Sequence, residues 1–186
     1  MPVLERLIDA DAFLDMQHLP EYRDNEYELI QGEMVKMTAP GFAHGELAGE
    51  ICYYLRQYAK KHKLGRVAVE SGLRSAFDPA LVLRPDVSFT RHARAPQPGD
   101  RGLNAVMPDL AVEIASPSDT LSAMREKAAL YLRNGARLVW LVILDEERVE
   151  AHSSAGEFQS LGISDALTGG DVLPGFRLDL GRLFDL

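Results

Sequence analysis

The chain has a single cysteine, Cys52, among 186 residues. No internal disulfide is possible, and a lone thiol in a helix-like stretch points to a reducing compartment. Long apolar runs are also missing. The longest, Leu138 to Leu144, is far short of the roughly 20 residues that cross a bilayer. The first residues, Met-Pro-Val-Leu-Glu-Arg, lack the apolar core of a signal peptide. The expectation is a soluble, cytoplasmic protein with no membrane partner. There are no repeats, low-complexity segments or clear linkers, so one domain with one sizeable core is the simplest reading. No CxxC, HExxH, P-loop or GxGxxG is present. The Gly-x-Ser-x-Gly elbow is absent as well, although residue types alone leave a Ser-His-Asp nucleophile open. Positive charge is in deficit: 20 Lys and Arg against 28 Asp and Glu give a net charge of -8. That counts against a broad nucleic-acid surface, but a local basic groove can sit on an acidic body.

The informative stretch runs from Met107 to Asp119. Leu110 to Ile114 reads as a buried strand that enters a turn and then a helix. Glu113 lies inside that apolar run. A buried, unpaired carboxylate would cost several kcal/mol, so it must be paired, protonated or bound to a cation. Leu81 to Thr90 has the same oddity, with Asp86 between apolar residues. If these two strands are neighbours, both carboxylates can converge on one divalent ion.

The remaining chain supplies the frame. A short helix is expected over residues 9–18, capped by Asp9 or Asp11. Residues 26–30 and 33–37 form a hairpin around Gln31-Gly32. His44 to Lys63 is a long helix whose buried face is Leu47, Ile51, Tyr54, Leu55 and Tyr58. His44 is expected to serve that helix's N-terminal region rather than a metal. Lys60, Lys61 and Lys63 either favour the helix C-terminus or contact phosphate. Arg66 to Phe77 alternates as one strand, with a bulge at Gly72. Pro85 implies an edge, a bulge or a missing ladder bond in the next strand. Residues 91–106 form a locally basic connection containing Arg91, His92, Arg94, Pro98 and Arg101, and with the lysines this loop is expected to border a nucleic-acid groove. A helix from the Ser116–Asp119 turn to Arg133 buries Leu121, Met124, Ala128, Tyr131 and Leu132. Leu138 to Leu144 is then a strand buried on both faces. Strand, helix and strand in that order predict a right-handed crossover and parallel pairing. A hairpin turns at Ala155-Gly156. The class is α/β or α+β, with a mixed sheet.

Four segments carry a resemblance: Tyr27-Glu28-Leu29-Ile30-Gln31-Gly32-Glu33, Arg84-Pro85-Asp86-Val87, Pro108 to Ser118, and Lys127-x-x-x-Tyr131-x-x-x-Gly135. In this order and spacing the sequence resembles the Uma family of endonucleases, of the PD-(D/E)XK, restriction-endonuclease-like superfamily. The resemblance covers nearly the whole chain. It implies a central mixed sheet flanked by helices, with extra hairpins, and a Mg²⁺- or Mn²⁺-dependent phosphodiesterase acting on DNA more than RNA. Asp86 would be the PD aspartate and Glu113 the strand acid. Both, with the Ile114 carbonyl, would hold the metal. The strand lysine expected two residues after Glu113 is Ala115, and Lys127, on the following helix, is the matching replacement. It would orient or help deprotonate the attacking water. A homodimer is implied only by analogy with nucleases that cut two strands.

Plainer roles stand beside these. Asp86 could cap a turn. Glu113 could pair with Arg84 or Lys127 in a structural ion pair. Lys127 could be a surface lysine lying along its helix. Glu28 could face the site, and Glu50 is a weak candidate for an extra acid on the first long helix. Arg125, on the opposite border of its helix from Lys127, could hold a phosphate but not take a proton.

Overall fold

The computed structural model describes residues 7–97, 99–100 and 102–185. The chain opens with α1 (Ala10–Gln17), capped by the Asp9 carboxylate on the Ala12 amide. The hairpin β1 (Tyr27–Ile30) and β2 (Glu33–Lys36) follows, then α2 (Phe42–Lys61), β3 (Gly65–Val69) and β4 (Leu73–Arg74). Next come β5 (Val82–Leu83), β6 (Val87–Arg91), β7 (Leu110–Ile114), α3 (Leu121–Arg133) and β8 (Leu138–Ile143). The chain closes with the hairpin β9 (Arg148–Ser153) and β10 (Phe158–Leu161), the pair β11 (Ala166–Gly169) and β12 (Leu173–Asp179), and α4 (Leu180–Phe184).

The central sheet has six strands in the order β10-β9-β8-β7-β6-β3. Only β7 and β8 run parallel; the other neighbours are antiparallel. Because side chains alternate along a strand, each central strand feeds two cores. Leu110, Val112, Ile114, Trp140 and Val142 pack on one face with Leu47, Ile51 and Leu55 of α2. Ala111, Val139 and Leu141 pack on the other face with Met124, Ala128 and Tyr131 of α3. Helices therefore cover both faces, which is why β8 has no polar residue.

Two expected strands turn out to be divided. The run from Arg66 breaks at Glu70, which takes a positive φ of 47°, and Gly72 follows. β3 stays in the central sheet, whereas β4 joins a second, four-stranded sheet ordered β2-β1-β5-β4. The run from Leu81 breaks at Arg84-Pro85-Asp86, and the chain passes from β5 in the second sheet to β6 in the central one. Pro85, which has no amide hydrogen to give a ladder, marks the crossing. Gly72 and Pro85 marked irregularities at both places, but alternation in a sequence does not say which sheet a strand joins. Two helix boundaries also shift. α2 starts at Phe42 rather than His44, and Thr120, one residue past the expected turn, caps α3.

The join between α2 and β3 is tight. A methyl added at Gly65 would lie 2.2 Å from the Thr90 carbonyl oxygen and 2.7 Å from the Phe89 ring. Neither neighbour can retreat, one being ladder backbone and the other core. Gly65→Ala is expected to cost roughly 1–3 kcal/mol in urea unfolding, the range for overpacking. A loss below about 0.5 kcal/mol, the range of ordinary surface changes, would show that this edge has slack.

Candidate active site

The site forms where the two sheets and α3 meet. β6 and β7 are antiparallel neighbours with Val87 opposite Val112. One step further along, Asp86 reaches β7, and its Oδ2 accepts the Ile114 amide at 2.6 Å. Glu113 points to the α3 side. Its Oε2 accepts from the Lys127 ammonium at 2.9 Å and its Oε1 from the Tyr131 hydroxyl at 2.7 Å. Lys127 and Tyr131 lie four residues apart, so they stand on one face of the helix. From the second sheet, Glu28 of β1 comes within 3.0 Å of Lys127 Nζ and also accepts the Arg84 amide at 2.6 Å. His44, in the first turn of α2, places Nε2 3.1 Å from the Ile114 carbonyl oxygen and 3.4 Å from Asp86 Oδ2.

The structure thus brings Asp86, Glu113, Ile114 and Lys127 together. Three further residues join them. Glu28 had only the strand pattern to suggest its direction. Tyr131 was read as core, although its spacing from Lys127 was the signal for it. His44 does more than serve its own helix: it crosses to the sheet edge.

Counted as ionised groups, three carboxylates face one ammonium. The charge imbalance shows in the titration of the group at its centre. Burial pushes the Glu113 carboxyl up to about 7; Lys127 opposes that rise, Glu28 and Asp86 add to it, and the Tyr131 hydrogen bond resists it. For Lys127, burial alone would favour the neutral amine, but Glu113 and Glu28 outweigh it and hold its pKa above the ordinary lysine value. Burial, then the nearby carboxylates, raise the Tyr131 phenol well above 10. The hydrogen bond to Asp86 raises the His44 imidazole, against the effect of its own burial. An ammonium held this firmly stabilises negative charge. In the metal-free protein it is held charged, which suits orientation and charge stabilisation.

Other expectations meet competing partners. Arg84 pairs with Glu26, not with Glu113. Arg125 is bound bidentately to the fully buried Glu150, at 2.6 and 2.9 Å. Lys60 and Lys61 sit at the far end of α2, about 24 Å along the helix from His44. Arg91 opposes Gly65 at the remote end of β6. Arg94 is consumed by Asp109 and by the carbonyls of Met107 and Gly135. The basic loop and the lysines therefore do not border the carboxylates. Pro98 and Arg101 lie outside the described residues.

Two observations bear on a cation here. Among the described residues, no three His, Cys, Asp or Glu side chains are spaced to grip one ion. The donor chemistry nevertheless fits: hard oxygens on adjacent strands, a backbone carbonyl, and negative charge in excess of what Lys127 balances.

A central mixed sheet flanked by helices, with acids at the ends of adjacent strands, defines a nuclease-like α+β fold. A crystal structure described as "a putative nuclease belonging to DUF820 from Anabaena variabilis ATCC 29413" has that fold. It superposes with a TM-score of 0.83 at 21% identity, over 95% of this chain and 97% of that one. A partial similarity, with a TM-score of 0.43 at 15% identity, covers 74% of this chain and 11% of a chain described as "cryoEM structure DrdV-DNA complex". No curated protein matches. The profile of the Uma2 family, described as "Putative restriction endonuclease", matches residues 10–181, and the chain belongs to that family.

Glu113 makes stability depend on pH with a definite sign. Its folded pKa of about 7 lies above the ordinary 4.5, so the folded state holds a proton that the unfolded state releases. Its contribution is complete below about pH 4.5 and is lost as pH rises through about 7. In metal-free buffer, Glu113→Gln is therefore expected to gain stability relative to wild type between those two pH values. Urea unfolding across that range checks it, and a difference that does not change with pH would contradict the raised pKa.

Proposed function

We propose that this chain is a metal-dependent endonuclease hydrolysing phosphodiester bonds of DNA, with a site of PD-(D/E)XK type. The observation that supports this reading best is the convergence of Asp86 and Glu113, from neighbouring strands, with Glu28 from the second sheet, where Lys127 pairs with Glu113 and Glu28. The family's description as restriction endonucleases favours DNA over RNA. Asp86, Glu113 and the Ile114 carbonyl would hold Mg²⁺ or Mn²⁺, which take hard oxygen donors and keep several waters. Such an ion supplies Lewis-acid polarisation of a phosphoryl oxygen and a bound water of lowered pKa.

The protein's own groups have separate tasks. Lys127 fills the role of the lysine missing at Ala115 and stabilises charge on the reacting phosphate. Glu28 holds that ammonium from the second sheet. Tyr131 fixes the orientation of Glu113 through Oε1, leaving the carboxylate's remaining lone pairs for the site. A second reading, a nuclease-fold binding or assembly module without catalysis, is favoured by Ala115 and by the lack, among the described residues, of a preformed three-side-chain metal grip.

Calorimetric titration of Mn²⁺ with a short DNA duplex present, followed by cleavage assays on the same samples, separates the two. Wild type is expected to bind and cleave. Glu113→Ala is expected to lose both. Lys127→Met is expected to keep binding and lose about 10²–10³-fold in rate, the usual cost of removing an electrostatic stabiliser. Wild type that neither binds Mn²⁺ nor cleaves, with DNA present, would leave the second reading.

A further inference from the structure

A basic cleft outside the reaction centre has no task in the chemistry above. It lies between the C-terminal half of α2 and β3, with a volume of about 170 Å³, and is lined by Arg56, Ala59, Lys60, Gly65, Arg66 and Val67. Three cations therefore share the cleft with no carboxylate in its lining, in a chain whose net charge is -8. Arg74, Arg84, Arg94, Arg125 and Arg148 each hold a carboxylate, whereas among the described residues Arg56, Lys60 and Arg66 hold none.

Plainer reasons account for these charges one at a time. Lys60 lies in the last turn of α2, where a cation suits the helix dipole. Arg56 stands a turn earlier, where that effect has faded, and like charges four residues apart repel along a helix. Arg66 is on the outermost strand of the central sheet, where charge guards an open edge. None of these reasons gathers all three around one cleft. An anion among them turns their repulsion into attraction. Arg66 is already oriented for it: Nη1 donates to the Pro96 carbonyl at 2.7 Å, and the rest of the guanidinium fork remains for a phosphate.

The edge of the sheet connects the cleft to the reaction centre. Arg66 opposes Thr90 of β6, and Val69 opposes Val87. The Glu70 amide then donates to the Asp86 carbonyl at 3.2 Å. Arg66 and Glu70 are four residues apart, about 13 Å at roughly 3.3 Å per residue of strand. A nucleic-acid strand climbs roughly 3.4 Å per phosphate, so about four steps cover that distance. β3 carries no acid, and Glu70 follows it at the Asp86 end. We propose that this cleft holds a backbone phosphate of the DNA, about four nucleotides from the one that reacts. This rests on the nuclease reading and extends it: the carboxylates serve the reaction, and the cleft grips the substrate. Contacts to phosphate carry no base information, so this grip is indifferent to sequence.

Binding of a fluorescent DNA duplex to the full chain, titrated against salt in metal-free buffer, tests the cleft without cleavage. Arg56→Gln, Lys60→Gln and Arg66→Gln together are expected to flatten the slope of log affinity against log salt by about 2–3, near 0.9 per lost phosphate contact. All three residues are exposed, so the fold does not depend on them. Arg23→Gln, Arg133→Gln and Arg177→Gln together remove the same charge from exposed positions elsewhere and are expected to keep the slope. An unchanged slope in the cleft variant, or an equal loss in the second variant, would overturn the cleft. Inorganic phosphate that binds there, by ³¹P line broadening, while the DNA slope stays unchanged would assign the cleft to a free anion and overturn the strand contact. The Mn²⁺ cleavage assay reports separately on the nuclease reading. Cleavage with an unchanged slope leaves that reading standing, and a wild type that neither binds DNA nor cleaves it loses both.

Discussion

The buried contact between Lys127 and Glu113 is the point on which the site depends. It joins α3 to the central sheet, and through Glu28 the same ammonium joins both to the second sheet. Each partner would be costly without the other, since removing one member of a buried ion pair costs about 3–5 kcal/mol. The pair is not self-sufficient, however. One ammonium serves two carboxylates, and Asp86 adds a third negative group beside Glu113. Burial leads in pushing the Glu113 carboxyl up to about 7, and Glu28 and Asp86 add to the rise. A fold that only needed a bridge between its layers would not require the extra acids.

A second buried glutamate gives the comparison. Glu113 and Glu150 flank Leu141 on neighbouring strands, and both meet α3. Glu150 receives Arg125, Arg148 and His152, and the Arg125 hydrogen bond leads in holding its carboxyl down at about 2. Glu146 also takes Arg148, so two carboxylates meet two guanidiniums in a network that ties α3 to β9. Glu113, two strands away on the same face, is under-compensated. The two carboxylates shift in opposite directions because burial leads for Glu113 and the Arg125 hydrogen bond leads for Glu150.

Much of this was legible in the sequence. The apolar run of β8, the helical spacing of Met124, Ala128 and Tyr131, and the Asn134-Gly135 stop led to the parallel β7–α3–β8 unit. Charge inside apolar runs pointed to Asp86 and Glu113, and their strands are neighbours. The misses share one cause: alternation and helical spacing describe a face, not what lies across from it. The chain crosses between sheets at Arg84-Pro85-Asp86, and this brings Glu28, which the sequence only allowed to face the site, within reach of Lys127. His44 opens a helix, yet its ring reaches a strand 70 residues away. The lysines that end α2 lie about 24 Å along the helix from His44, away from the carboxylates.

The central claim is that the carboxylates at the β6–β7 edge are balanced by a divalent cation. Anomalous diffraction from a crystal soaked in Mn²⁺ tests it most directly. The account predicts one strong peak within coordinating distance of Asp86 Oδ2 and the Ile114 carbonyl, with Glu113 turned toward it. A well-ordered site with no peak, its Lys127, Tyr131 and His44 hydrogen bonds unchanged at saturating Mn²⁺, would contradict it.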